Sequence, residues 1–384
     1  MKVSRADTSR FANWWWTIDR YLLTALLTLM IAGIVLSFAA SPPIAARLKL
    51  DNYHFVIRQI IFAVPALLVM IGISFLNARQ VRRLALLLLI GGIVMMIATL
   101  VVGFEAKGAR RWLFVAGFSL QPSEFVKPGF VVICAWLFAE GPKRPDIHGH
   151  AIAVGLLVIV TGLLVLQPDF GQTMLIVMVW GGIFFLAGMP WFFIIGLAGL
   201  SVVGILTAYT LIPHVAARFD KFLNPEDADT FQVDTALESF TTGGWFGRGP
   251  GEGTVKNILP DSHTDFIFAV AAEEYGIIFT LLLVALFTFI VMRGFSHALK
   301  QHDAFTRLAI SGLIALFGVQ AIINMAVNLD LIPSKGMTLP FVSYGGSSTM
   351  AVAIGMGMVL ALSRKRLDTS RLAFGSDFEL RHAL

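Results

Sequence analysis

Charge is what this 384-residue chain has least of: Asp, Glu, Lys and Arg make up 14% of it, against about a quarter in a typical soluble domain. Residues 170–217 contain none of the four. Cysteine is nearly absent as well. Cys134 stands alone, so no intrachain disulfide and no cysteine-rich zinc site can form, and its apolar surroundings give it the character of a small core residue. No His-Glu-x-x-His or similar metal spacing occurs, and His148 and His150 read as solvated loop residues. The glycine-rich stretch Gly243–Gly253 lacks the Gly-Lys-Ser/Thr ending of a phosphate loop and follows no strand, so it reads as a flexible turn. These absences exclude an ordinary soluble enzyme, a disordered chain and a disulfide scaffold.

What the chain has is apolar length. Hydrophobic residues make up 57% and mean hydropathy is +0.79. A membrane-crossing helix needs roughly 20 mainly apolar residues. The runs predict ten spans, near 21–41, 59–77, 84–104, 124–139, 151–167, 170–187, 190–211, 266–292, 308–328 and 344–363. The break at Ala187–Pro190 divides the uncharged stretch into two helices. The expected architecture is an all-α integral membrane protein: a tail at 1–20, a ten-helix domain at 21–363 with a large external loop between helices 7 and 8 (212–265), and a tail at 364–384. The basic, polar start shows no small-residue cleavage site, so the first span reads as uncleaved.

The net charge of +5 is distributed as in a polytopic membrane protein, not as in a nucleic-acid binder. Lys and Arg are more numerous on the side of the termini, where Arg79, Arg82, Arg83 and Arg364-Lys365-Arg366 cluster. The excess puts both termini in the cytoplasm. Acids gather on the other side. Charges near span ends also collect there: Glu124, Lys127, Asp169 and Asp265, then Glu273 and Glu274 somewhat deeper. Glu273 and Glu274 are adjacent, so at most one is expected to face a given site. This pattern fits a site open to the external leaflet and a substrate that is part lipid, part water-soluble, more than a carrier with a midplane site.

Within that pattern Asp265, where the long loop enters the eighth span, has two readings: an acid favoured by a helix N-terminus, or a general base at the membrane surface. Glu124 and Lys127 are three apart and share a helix face, either as a tolerated buried pair or as a pair aiming Lys127 at an anion.

At these residues the sequence resembles a known family. Gln121–Lys127, His263–Phe268 with Glu273-Glu274, and Lys335–Ser348 are similar to the signatures of the SEDS proteins (shape, elongation, division and sporulation), and the resemblance runs from about residue 15 to 366. It implies a ten-helix peptidoglycan glycosyltransferase that polymerises lipid II beside a class B penicillin-binding protein transpeptidase. Phe240–Gly249 and Lys335–Ser348 resemble the division branch more than the elongation branch. That branch implies a multi-pass protein of the cytoplasmic (inner) membrane at the division septum, a partner of the FtsI type and other divisome membrane proteins, with no nucleic acid. Asn257 stands where some relatives carry a glutamate, and Met337 where leucine is usual. The resemblance assigns Asp265 as catalytic base. Arg111, Lys127 and Lys335 match outward-side cations of the family, with Arg218 and Lys256 as nearby candidates and His263 in the aspartate's own motif. It also implies a divalent cation, Mg or Mn, at the pyrophosphate, for which the sequence shows no ligand cluster. Two other readings of the chain are a lipid II flippase or other transporter, which predicts charges lining a path through the membrane, and a scaffold that recruits the transpeptidase, which predicts a dispensable Asp265.

Overall fold

The computed structural model describes residues 9–106, 109–115, 117–144, 146, 148–211, 216, 220, 231–333 and 336–364. A helix lies over each of the ten apolar runs. In chain order these are α2 (Arg20–Arg47), α3 (His54–Ser74), α4 (Ala78–Val102), α5 (Pro122–Glu140), α6 (Gly149–Leu166), α7 (Phe170–Leu186), α8 (Trp191–Leu211), α10 (Ile267–Leu299), α11 (Ala304–Asn328) and α12 (Gly346–Ser363). Two more, α1 (Arg10–Thr17) and α9 (Phe231–Gly243), lie outside those runs. Eight of the described helices are long and apolar enough to cross a membrane, while Phe170–Leu186 and Trp191–Gly204 are shorter apolar helices.

Helix starts are set by short polar side chains that accept otherwise unpaired first-turn amides. Asp19 accepts from Leu22 N at 3.0 Å, Asn77 and Gln80 cap each other's amides, and Asp303 accepts from Thr306 N at 3.0 Å. Three helices make the interior: α5, α11 and α12 are mostly buried, whereas α3, α4, α6 and α10 turn most of their surface outward. Outward faces carry Leu68, Leu87, Val101, Val158 and Leu282, apolar groups suited to lipid. Close approach replaces bulk inside, as small residues permit between membrane helices. A Cβ on Gly129 of α5 would sit 2.8 Å from the Ala85 carbonyl of α4.

Three parts differ from expectation. The start of the chain is more than a polar tail, since α1 buries Trp14, which donates to Ser74 Oγ at 2.7 Å and stacks on Phe75 at 4.8 Å. Between α4 and α5, β1 (Phe104–Ala106), β2 (Ala109–Val115) and β3 (Phe118–Leu120) form an antiparallel meander, so the fold is not purely helical. Gly117, at φ 83°, makes the second turn, and the strands pair backbone groups that a short link between α4 and α5 would otherwise leave open. Finally, α2 runs on through Pro42 and Pro43 to Arg47, and α10 extends to Leu299.

Candidate functional site

Three stretches far apart in sequence meet at one end of the bundle. Pro122 opens α5, its fixed φ suiting the first helical position. One turn on, Glu124 and Lys127 are both almost wholly buried, with Lys127 Nζ 2.9 Å from Glu124 Oε2. Burial of two charges requires further partners. Gln172 of α7 supplies them on both sides, donating to Glu124 Oε1 at 2.8 Å and accepting from Lys127 at 3.0 Å. Lys127 also donates to Gln320 Oε1 of α11 at 3.1 Å. Gln320 in turn donates to the Thr338 carbonyl at 3.1 Å, and Thr338 Oγ1 lies 2.7 Å from Ser348 Oγ. Against Glu124, Lys127 and Gln320 lies a cavity of about 20 Å³, room for about one water.

The same α11 face continues to Asp265. Asn324 donates to the carbonyls of Asp265 (2.8 Å) and Met337 (2.6 Å). Asn328 donates to the Asp265 carbonyl at 2.9 Å and accepts from Ala269 N at 3.1 Å, occupying an amide at the start of α10. Asp265 is thus held by its backbone, and its half-buried carboxylate lies against Gly336. A Cβ on Gly336 would stand 3.1 Å from Asp265 Oδ2. Ser343 Oγ bonds the Thr264 carbonyl, and Tyr344 N donates to the His263 carbonyl at 2.9 Å, locking the two motifs together.

His263 lies between aromatic rings, 4.6 Å from Phe55 and 5.4 Å from Tyr344. Burial pushes its pKa down to about 4 against a small opposing pull from Asp261, so the ring is neutral near pH 7. Arg111, on β2, donates to the Gln167 carbonyl at 2.9 Å and to that of Pro168, and lies 3.9 Å from Asp169. Burial raises the Asp169 carboxyl above its usual range, with Arg111 opposing. Arg111 therefore ties the meander to the α6–α7 link at the rim of the site. Arg218 and Lys335 lie outside the described residues.

Lys256 takes a different place from the one its sequence position suggested. It is buried, and its ammonium pairs with Glu274 on α10. Glu273 and Glu274 were expected to serve different faces, yet both serve one loop. Glu273 accepts from Val255 N (2.7 Å) and Lys256 N (2.8 Å), and Glu274 accepts from Gly251 N at 3.1 Å. The reason is that residues 247–256 wrap round the start of α10 and meet two of its faces. The glycine-rich stretch is a fixed clasp, not a flexible turn. Gly247 and Gly276 adopt φ of 82° and 80°, and a Cβ on Gly247 would be 2.1 Å from the Glu274 carbonyl.

Four site residues went unread in the sequence: Gln172, Gln320, Asn324 and Asn328. The last three carry a legible signal, amides spaced four apart along one apolar run and so on one helix face. Among the described residues no group of three or more His, Cys, Asp or Glu gathers in a way that could hold a metal ion.

The fold and site define a multi-pass membrane protein whose polar machinery sits at one end of its helices. The chain belongs to the FtsW/RodA/SpoVE family, whose model, described as cell cycle protein, matches residues 19–367. It is 50% identical over 364 residues to a Caulobacter vibrioides protein named probable peptidoglycan glycosyltransferase FtsW, covering 94% of this chain and 93% of the relative. A protein of the same name from Trichlorobacter lovleyi is 35% identical over 356 residues, covering 90% and 93%. Among solved structures, a chain from work on the structural coordination of polymerization and crosslinking by a peptidoglycan synthase complex superposes with a TM-score of 0.75 at 28% identity, covering 90% of this chain and 97% of that one. The rod shape determining protein RodA of Thermus thermophilus superposes at 0.68 and 28% identity, covering 91% and 97%.

Proposed function

We propose that this chain is a peptidoglycan glycosyltransferase of the division type, polymerising lipid II into glycan strands during septal wall synthesis. The observation that carries the reading is that the Gly336–Ser348 motif joins the other two in a protein of this family, bonding Gln121 on one side and the Asp265 motif, through Thr264 and His263, on the other. In the reaction, a sugar 4-hydroxyl attacks the anomeric carbon of a second lipid-linked sugar. The new carbon–oxygen bond forms with inversion as the bond to the lipid pyrophosphate breaks. Asp265 takes the hydroxyl proton, and the departing pyrophosphate requires positive charge. Arg218 and Lys335 fit that need by sequence position, with Arg111 at the rim. Lys127 and Lys256 are buried and paired, which suits them to positioning, and neutral His263 packs the floor beside Asp265. A divalent cation, Mg or Mn, would be held mainly by the pyrophosphate and would offset its charge, since no acid cluster among the described residues gathers to hold it.

All ten apolar helices cross the membrane in this reading, both termini are cytoplasmic, and residues 212–265 lie outside. The protein works in the inner membrane at the septum, with a class B penicillin-binding protein crosslinking its product and other divisome membrane proteins beside it. Polymerisation of lipid II by the purified protein with its transpeptidase partner tests the activity. Asp265→Asn keeps the shape and removes the proton acceptor, so glycan synthesis should fall at least ~100-fold while membrane insertion and partner capture persist. Near-normal synthesis would move the base elsewhere, and loss of the protein from the membrane would make Asp265 structural. Depletion in cells should give undivided filaments; rounded, widened cells would point to the elongation branch.

A further inference from the structure

The opposite end of the bundle carries a second built feature. A cavity of about 910 Å³ opens between the first turns of α2 and the last turns of α10. From Arg20 at this cavity α2 runs its 28 residues, about 40 Å at 1.5 Å per helical residue, to Arg47, which donates to the Asn257 carbonyl beside the clasp, so the cavity lies at the other membrane boundary. At its base, Asp19 is the cap of α2. Its free oxygen takes Arg293 Nε at 2.7 Å and pairs with the His297 ring. Burial alone would raise the Asp19 carboxyl, yet the bonds from His297 and Arg293 hold it well below its usual range, so the acid stays ionised and matched.

Two guanidinium groups flank the cavity, each steadied by aromatic rings. Arg293 lies 5.0 Å over Tyr21, and Arg20 lies 4.8 Å over both Trp15 and Trp16. Among the described residues Arg20 has only the Trp15 carbonyl as acceptor, at 3.4 Å, and the terminal nitrogens of Arg293 have none. Deeper into the bilayer α10 lines the cavity with apolar Leu286 and Phe289, the last 43% exposed, and α2 with Ala25 between Thr24 and Thr28. Positive planar groups at a boundary, interfacial Trp and Tyr, and an apolar trough below match one ligand from head to tail.

We propose that this cavity binds an anionic phospholipid of the leaflet at the chain termini, its phosphate between Arg20 and Arg293 and its acyl chains along α2 and α10. That this is the inner leaflet rests on the proposed orientation; the binding chemistry does not. Occupancy would tie α1, α2 and α10 together at the end remote from Asp265.

Thermal unfolding of the full chain in neutral detergent, titrated with phosphatidylglycerol, phosphatidylcholine of the same acyl chains, or free glycerol phosphate, tests this. Phosphatidylglycerol should stabilise at about 25-fold lower mole fraction than phosphatidylcholine, since each of the two Arg near an anionic headgroup contributes roughly fivefold. Glycerol phosphate alone should do little. The double variant Arg20→Gln/Arg293→Gln should lose the preference. Arg20→Gln alone leaves the Asp19–Arg293 pair intact and should lose about fivefold, a variant available if the double one fails to fold. Equal stabilisation by phosphatidylcholine, full stabilisation by glycerol phosphate, or an unchanged preference in Arg20→Gln would each overturn the proposal.

Discussion

Asn324 and Asp265 are joined through the backbone: the Asn324 amide donates to the Asp265 carbonyl at 2.8 Å and, at 2.6 Å, to the carbonyl of Met337. One side chain on α11 thereby fixes the spacing between the acid and the segment that passes over it. Asn328, one turn on, adds a second bond to the same Asp265 carbonyl at 2.9 Å. Both amides grip the Asp265 main-chain carbonyl, so both are positioning residues.

Asn324→Ala and Asn328→Ala should each lower the rate per folded molecule by about tenfold or more with little change in KM, because a misplaced base affects the transition state more than substrate binding. Stability should also fall, by about 1–3 kcal/mol for buried groups left unpaired. Rate and unfolding temperature measured together separate the two effects. A fall in stability with the rate per folded molecule unchanged would leave these amides a structural role only.

The clasp over α10 gives a second test. Lys256 is buried against Glu274, so removing one partner strands a charge, at a cost of about 3–5 kcal/mol, while replacing both with apolar groups is far milder. Lys256→Met and Glu274→Leu should each destabilise the protein and open residues 249–257 to protease. The double variant should be more stable than either. If the double variant is as damaged as the sum of the two, the pair does not act as a unit.

Much of this was legible in the chain, for physical reasons that differ by element. Apolar length placed the helices, since lipid demands that every backbone group be bonded within its own segment. The Asn77–Gln80 box and the Asp303 cap fix helix starts within a few residues of the apolar runs. The i, i+3 spacing of Glu124 and Lys127 placed them on one face, and they do meet. The meander within 104–120 was not read, because β1 and β3 are three residues each and the seven of β2, Ala-Arg-Arg-Trp-Leu-Phe-Val, do not alternate apolar with polar. The fate of Lys256 was illegible for another reason. Which of several cations is buried and which is free depends on how the 247–256 loop folds onto α10, a tertiary fact with no local signature.

His263 should make stability depend on pH. Its folded pKa is pushed down to about 4 from an ordinary 6.5, so below 6.5 the unfolded chain binds a proton that the folded chain refuses. The contribution of the neutral ring packed between Phe55 and Tyr344 is therefore complete above pH 6.5 and is lost as pH falls toward 4. His263→Phe keeps the contact with Phe55 and Tyr344 without the titration. Its unfolding temperature should fall less than that of the natural protein between pH 7 and pH 5. Parallel pH curves for the two would show that the ring does not carry this dependence.

The last prediction concerns Glu124, Lys127 and the route from them to Asp265. The pair is buried near the start of α5, where an isolated charge is costly, and it is completed by Gln172 and Gln320. Glu124→Ala strands Lys127 and Lys127→Ala strands Glu124, so either loss should cost nearly as much activity as both together. Gln320 is the only described residue bonded both to Lys127 and to the 336–348 segment, through Thr338. If the pair acts by placing that segment over Asp265, Gln320→Leu should lower lipid II polymerisation by about tenfold, since losing a bond that positions reacting groups is felt in the rate. It should also add little to the loss already caused by Lys127→Ala. The measurement is a rate for each single and paired variant at matched membrane levels. Fully additive losses for Lys127→Ala and Gln320→Leu would separate the two residues and leave Lys127 acting on the site by some other path.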